Sequence, residues 1–151
     1  MKKIHILTII IFLGACIATP APEPTPTTTK PYVIRPEENP YSPKPDDANL
    51  RVAGVKLTST GLLERFDLDP FRVEVDFLGS LPSVCNEIRI KINPPNINFE
   101  VFIEVYSLVN PKISCDDVFQ TFETSILLGV YSTGRYTVWV NEGLVGDFVT
   151  Y

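Results

Sequence analysis

Three short acidic clusters contain the residues of this chain whose type and spacing could do chemistry. They are Asp46-Asp47, Asp67 with Asp69, and Asp116-Asp117. Carboxylate oxygens bind Ca²⁺, and two facing carboxylates can hydrolyse a glycosidic bond. The clusters lack EF-hand spacing and a glycine-turned acidic loop, and adjacent aspartates in an extended chain point to opposite sides. We therefore expect solvated carboxylates, no metal site and no cofactor, and an acid-pair hydrolase is the least favoured function.

Residues 1–15 have the pattern of a secretory signal peptide. Lys2 and Lys3 supply positive charge, an apolar run follows from Ile4 to Phe12, and small residues end the segment. The only histidine of the chain, His5, lies inside it. A mature chain without histidine has no Ser-His-Asp triad, no Cys-His pair and no histidine metal ligand. We therefore expect no catalytic residues and a protein that is not an enzyme.

The residues around the end of this segment, Leu13-Gly14-Ala15-Cys16, resemble the lipobox of bacterial lipoproteins. The resemblance implies that Cys16 is lipidated and becomes the mature N-terminus. It also implies a domain outside the cytoplasm, held by its lipid at the cell membrane or the outer membrane. An ordinary signal peptide followed by an unrelated cysteine is the alternative.

The other two cysteines, Cys85 and Cys115, form an even set in an exported chain. Exported proteins meet oxidising conditions, so a disulfide between them is the expected state. A redox-active pair is the alternative, but the two residues lack Cys-x-x-Cys spacing. We expect a structural bridge.

The net charge of the expected mature chain limits the classes of partner that it can bind. Removal of residues 1–15 leaves 11 lysines and arginines against 18 aspartates and glutamates. An acidic chain has no electrostatic surface for nucleic acid, and anionic lipid head groups repel it. Membrane attachment must therefore come from the lipid anchor.

Proline marks the boundary of the folded domain. Residues 16–49 contain nine of the 14 prolines, together with many threonines and little apolar bulk. Such a segment buries too little surface to offset its ordering entropy. We expect a disordered linker over 16–49 and a folded domain over 50–151; a proline-rich recognition ligand is the alternative reading of the linker.

The sequence of the expected folded domain predicts a series of short strands. Residues 71–77 alternate strictly between apolar and charged side chains, which is typical of a half-buried strand. The expected strands are 52–58, 71–77, 87–92, 97–105, 122–130, 136–140 and 144–150. No segment shows a convincing helical period. Seven strands separated by turn signals favour an antiparallel β-sandwich.

The segment Gly134-Arg135-Tyr136-Thr137-Val138 resembles the start of strand F in immunoglobulin-like domains. The resemblance implies a tyrosine corner, in which the buried Tyr136 hydroxyl bonds back to the preceding turn. Cys85, Cys115 and Trp139 do not follow the immunoglobulin pattern, so the resemblance carries the fold and not immune function. The fold class is therefore an all-β, immunoglobulin-like antiparallel β-sandwich of about seven strands.

Three aromatic residues form the candidate binding face: Phe102, Tyr106 and Trp139. If Tyr136, Val138 and Val140 face inward, period-two geometry places Trp139 on the outer side. Outward aromatics stack on sugar rings or anchor protein partners. The alternative is that Trp139 packs on Phe102 or under a loop, because cross-strand aromatic pairs also stabilise sheets.

These observations favour a non-catalytic function. We expect a lipid-anchored binding or structural module at the cell envelope, whose partner is an envelope protein or a glycan. The second hypothesis is a peptidase inhibitor that presents sandwich loops. The loop motif of the chagasin-like inhibitors is absent, and Asn93-Pro94-Pro95-Asn96 does not replace it.

Overall fold

The computed structural model describes residues 39–151. The predicted signal peptide, the predicted lipidation site Cys16 and residues 17–38 of the predicted linker lie outside the described residues. The described part contains eight strands and one 3₁₀ helix, Pro45–Asn49. The strands are β1 Arg51–Ala53, β2 Lys56–Arg65, β3 Arg72–Leu81, β4 Glu87–Ile92, β5 Glu100–Val109, β6 Gln120–Leu127, β7 Gly134–Val140 and β8 Gly143–Thr150. Within residues 39–151, no helix has the length and hydropathy needed to cross a membrane.

The strands form two sheets that pack face to face. The smaller sheet has the order β2-β3-β6, and the larger one is built around β5. β4 pairs with one edge of β5, while β1 and β7 pair with opposite ends of the other edge. β8 extends the larger sheet beyond β7. The β-sandwich expected from the alternating pattern is confirmed.

Two details of the pairing differ from the expectation. The segment 52–58 is divided at Gly54 and Val55, so β1 joins the larger sheet and β2 joins the smaller one. The domain therefore has eight strands. The β5–β7 pair is parallel, whereas all other pairs are antiparallel. Both details arise from contacts between distant segments, which alternation along one strand does not encode.

The core lies between the inner faces of the two sheets. Val75, Ile90, Val101, Leu128 and Val138 have no exposed surface. Alternate residues of β3, β5 and β7 supply most of the other core side chains, as period-two geometry requires. This core holds the strands in register and so determines which side chains remain on the outer faces.

The tyrosine corner is present at the start of β7. Tyr136 is 2% exposed, and its hydroxyl donates a hydrogen bond of 3.0 Å to the carbonyl of Ser132. The ring of Phe99 meets the Tyr136 ring edge-on, with ring centroids 5.3 Å apart. A Cβ at Gly134 would lie 3.1 Å from the Phe99 ring, so glycine at this position leaves space for that packing. The inward orientation predicted for Tyr136 is confirmed.

Residues 39–49, which the proline pattern assigns to the linker, pack against β4. The Asn39 side chain is buried and donates to the carbonyl of Ile90, while the Ile90 amide donates to the carbonyl of Tyr41. These bonds cover the outer edge of β4. Residues 39–49 thus pack together with the strands that follow them.

Candidate functional site

The outer face of the larger sheet carries the aromatic residues singled out in the sequence. Tyr136, Val138 and Val140 are buried, so the alternating β7 residue Trp139 lies on the outer side. On β5, Val101, Ile103 and Val105 are buried in the same way. Phe102, Glu104 and Tyr106 therefore share the outer side with Trp139.

Phe102 and Trp139 meet directly. They are register partners in the parallel β5–β7 pair, and their ring centroids are 6.3 Å apart with an interplanar angle of 16°. The two ring faces therefore point in nearly the same direction. Phe102 is 38% exposed and Trp139 is half-buried. The sequence pattern allows an outward aromatic face or packing of Trp139 on Phe102. Both are present, because the rings pack on each other and also reach solvent.

Leu144 extends this aromatic pair onto a third strand. It is the register partner of Trp139 in the β7–β8 hairpin and is 62% exposed. We call the row formed by Phe102, Trp139 and Leu144 the apolar stripe. The hairpin signal at 141–143 pointed to the pairing of β7 with β8. A bulge beside Trp139 sets the actual register, and the sequence does not show that bulge.

The indole nitrogen of Trp139 is an unusual feature of the stripe. Its Nε1 is buried and has no hydrogen-bond partner among the described residues. A buried donor without a partner costs about 1–3 kcal/mol of stability. Nearly all buried polar groups in folded proteins have a hydrogen-bond partner, so the Trp139 indole nitrogen is an exception.

A polar cluster borders the stripe on the side of β4. The Glu104 Oε1 atom accepts hydrogen bonds of 2.8 Å from Lys91 Nζ and from Asn93 Nδ2. The hydrogen bond from Lys91, followed by that from Asn93, holds the pKa of Glu104 below its usual value. Glu104 is therefore charged at neutral pH. Its other oxygen, Oε2, accepts no hydrogen bond from residues 39–151.

Tyr106 lies on the same face but does not touch the aromatic pair. Glu104 separates it from Phe102 along β5, and its register partner on β4 is Arg89. Burial, followed by the nearby Asp47 carboxylate, raises the pKa of the Tyr106 hydroxyl. Tyr106 lines a cavity of about 520 Å³. Its other lining residues are Asp47, Val52, Lys91, Glu104, Val105, Leu108 and Asn141.

Asn141 closes the gap between β1 and β7 beside this cavity. Its Oδ1 accepts from the Val105 amide and its Nδ2 donates to the Val105 carbonyl, each at 2.8 Å. The side-chain amide thus replaces a strand neighbour where neither β1 nor β7 reaches β5. Asn141 adopts a positive φ of 46°, which asparagine tolerates better than most residues. The sequence marked Asn141 only as a turn residue.

Two of the acidic clusters pair with arginines. Asp47 Oδ1 and Oδ2 accept from the buried Arg89 guanidinium at 2.8 and 2.9 Å. Asp67 receives two hydrogen bonds from Arg65, which also contacts Glu74. Among residues 39–151, no group of three histidine, cysteine or acidic side chains could hold a metal ion.

Cys85 and Cys115 form the disulfide predicted from their number and compartment. Their sulfur atoms are 2.09 Å apart and their Cα atoms 6.2 Å apart. The bridge links the β3–β4 connection to the long β5–β6 connection. It lies in loops at the end of the sandwich that also contains the exposed Phe119.

The described residues form a disulfide-bonded β-sandwich with an exposed apolar stripe on its larger sheet. A family model for the ORF11 beta-sandwich domain matches residues 75–150, and the chain belongs to this family. The match covers β4 to β8 and all three residues of the stripe. Searches of curated proteins and of solved structures found no match.

Proposed function

We propose that this protein is a non-catalytic binding module held at the cell envelope by a lipid on Cys16. The observation that carries the binding role is the apolar stripe. Phe102 and Leu144 are 38% and 62% exposed although the sandwich has a complete core elsewhere. A contiguous row of large apolar side chains in solvent is typical of an interaction site, whereas single exposed residues are ordinary.

The stripe also has the rigidity that a binding site needs. Phe102 and Trp139 are fixed by the β5–β7 pairing, and Leu144 is fixed by the β7–β8 hairpin. Side chains on paired strands lose little further freedom when a ligand binds, so more of the contact energy appears as affinity.

A binding assay on isolated envelopes tests this proposal. The mature chain with Cys16→Ser should sediment with lipid-extracted envelopes, and Phe102→Ala should weaken this retention. Phe119→Ala is the matched control, because Phe119 is 73% exposed and lies on a loop away from the stripe. Retention that is absent, or equal in all three proteins, would overturn the binding role.

The anchor proposal rests on the sequence Leu13-Gly14-Ala15-Cys16. A linker of 22 residues between Cys16 and Asn39 can span at most about 75 Å, so the domain could reach well beyond the lipid surface. Cys16→Ser should remove the protein from the detergent phase of a phase-partitioning experiment. Unchanged partitioning would contradict lipidation.

One observation favours peptidase inhibition as the second candidate function. The β4–β5 loop presents Ile97 with 94% of its surface exposed. The Oδ1 atom of Asn96 accepts hydrogen bonds from the amides of Asn98 and Glu100, which hold the loop in one shape. A preformed loop with a protruding apolar side chain is suited to insertion into a partner's cleft.

A panel of cysteine and serine peptidases tests this second candidate. Inhibition by the wild-type protein that Ile97→Asp abolishes and Phe102→Ala leaves unchanged would favour the loop over the stripe. Absence of inhibition across the panel would remove it from consideration.

A further inference from the structure

We propose that the apolar stripe binds a neutral saccharide chain. This inference deepens the proposed binding function and depends on it. It names a ligand class for the outer face of the larger sheet, and it rests on the shape of the stripe, the direction of its rings and the groups along its borders.

The stripe is long and narrow. It crosses three neighbouring strands, so its length from β5 to β8 is about 10 Å at the usual spacing between strands. Its width is one residue, because the next outward positions are polar. Glu100, Thr137 and Asp147 form the adjoining row on one side, and Glu104 lies on the other.

The narrow width of the stripe favours a saccharide over a protein as its ligand. A stable protein interface covers about 800 Å² on each partner, far more than three side chains provide. A flat protein surface on the stripe would also cover the charged rows beside it, and removing these charges from water is costly. A saccharide chain is narrow, and its own hydroxyl groups can meet the bordering charges.

The aromatic pair offers the surface that a sugar ring needs. Sugar rings present C–H groups on their faces, and these groups pack against the electron-rich faces of aromatic rings. Phe102 and Trp139 are stacked on each other with ring planes 16° apart, so a sugar unit can pack against the exposed part of this stacked pair. Leu144 supplies a further apolar contact at the end of the row.

Hydrogen-bonding groups stand beside this surface. Glu104 Oε2 is available to a sugar hydroxyl, since Lys91 and Asn93 both bind Oε1. A charged acceptor forms the stronger kind of hydrogen bond with a hydroxyl donor. The two bonds to Oε1 hold the carboxylate in place before any ligand arrives.

The charges at the border exclude an anionic chain. Glu100, Glu104 and Asp147 lie next to the stripe, while Lys91 and Arg135 are already paired with Glu104 and Asp147. A uronate or other acidic sugar would meet net negative charge and be repelled. The border therefore favours a neutral saccharide over an acidic one.

The fluorescence of Trp139 reports binding at the stripe directly, because Trp139 is the only tryptophan of the chain. We would titrate the mature Cys16→Ser protein with chitotetraose, cellotetraose and maltotetraose, following tryptophan emission and the heat of binding. Tetragalacturonic acid is the anionic comparison. The expected result is saturable binding of at least one neutral oligosaccharide and none of the acid.

Variants tie that binding to the stripe. Phe102→Ala should raise the dissociation constant about tenfold, as loss of one aromatic anchor does. Phe119→Ala should leave the dissociation constant unchanged. Glu104→Gln keeps the shape of the border and should also weaken binding. Circular dichroism of each variant shows whether it is folded, and Leu144→Ala replaces Phe102→Ala if the latter is not.

The outcomes separate this inference from the proposed function. No saturable binding of any neutral oligosaccharide, or binding that Phe102→Ala leaves unaltered, would overturn the saccharide inference. If envelope retention then still depends on Phe102, the binding module stands with a partner of another kind. If retention is also absent, both proposals fail.

Discussion

Tyr136 and Trp139 lie three residues apart on β7 and have opposite environments. Tyr136 is 2% exposed in the core, whereas Trp139 is half-buried on the outer face. The Ser132 carbonyl accepts hydrogen bonds from both Tyr136 and Thr150, so loss of the phenol leaves this carbonyl with a partner.

A pair of substitutions tests this contrast. Tyr136→Phe keeps the ring and loses the hydrogen bonds of the hydroxyl with the carbonyl and with Oγ of Ser132, so it should lower the free energy of unfolding by about 1–2 kcal/mol. Trp139→Ala should cost less than the roughly 3–5 kcal/mol typical of a buried aromatic, because part of the ring is in solvent. Urea denaturation measures both. Unfolding by Trp139→Ala together with no effect of Tyr136→Phe would contradict the register of β7.

Two glycines in the smaller sheet differ in the space around them. A Cβ on Gly79 would lie 2.5 Å from the Lys56 carbonyl and 2.9 Å from the Phe122 ring, whereas a Cβ on Gly61 would have no atom within 4 Å. Gly79 sits where the β2–β3 register shifts, between Leu57 and Ser59.

This difference predicts unequal effects of alanine. Gly79→Ala should destabilise the domain by about 1–3 kcal/mol or more, because backbone must move. Gly61→Ala should change stability by less than about 1 kcal/mol. Thermal unfolding measures the midpoint temperature of both variants. Equal decreases in this temperature would contradict the close contact of Gly79 with Lys56 and Phe122.

At the scale of elements, a buried ion pair adds to the hydrogen bonds at Ile90 that attach residues 39–49 to β4. Arg89 is 5% exposed and binds Asp47, which is on the 3₁₀ helix. The hydrogen bond from Arg89 lowers the pKa of the Asp47 carboxyl below its usual value. A carboxyl with a lowered pKa in the folded state stabilises that state above its unfolded pKa, and the contribution disappears as pH falls through the folded pKa.

The ion pair therefore predicts a pH-dependent effect of Asp47→Asn. The variant should be less stable than the wild type at neutral pH, by about 1–3 kcal/mol, since Arg89 loses its charged partner. The difference should shrink as the pH falls below about 4, where the Asp47 carboxyl of the unfolded chain takes up a proton. It should disappear once the pH has fallen through the lower pKa of this carboxyl in the folded state. Urea denaturation at a series of pH values measures it. A difference that does not vary with pH would contradict the role of the carboxylate.

Local patterns in the sequence predicted most strands but not the contacts between distant ones. Alternation along β7 correctly oriented Tyr136 and Trp139, because period two is a property of a single strand. The pairing of Phe102 with Trp139 depends on a parallel contact between segments that are far apart in sequence. The packing of Asn39 on β4 was missed for the same reason, since proline content reports only local preference.

At the scale of the whole molecule, the stripe lies away from the disulfide. The Cys85–Cys115 bridge joins loops at one end of the sandwich, while the stripe crosses the outer face of the larger sheet. The first described residue, Asn39, is bonded to the edge of that same sheet. The bridge and the proposed binding surface therefore consist of separate residues.

The bridge should thus affect stability and not the stripe. It closes a segment with a sequence separation of 30, and Cys115→Ser should lower the free energy of unfolding by about 2–5 kcal/mol. The double variant Cys85→Ser with Cys115→Ser should cost about as much, because the second cysteine has no other role. Denaturant unfolding under non-reducing conditions checks both, and an unchanged free energy would contradict a stabilising bridge.

The central claim is that the stripe is the surface that meets the envelope. The most direct measurement is hydroxyl-radical footprinting of the mature protein, with and without lipid-extracted envelopes, read by mass spectrometry of its peptides. Binding should protect Phe102, Trp139 and Leu144 from oxidation and leave Phe119 and Ile97 as reactive as in the free protein. Protection of Ile97 with an unchanged stripe would contradict the account and assign the contact to the β4–β5 loop.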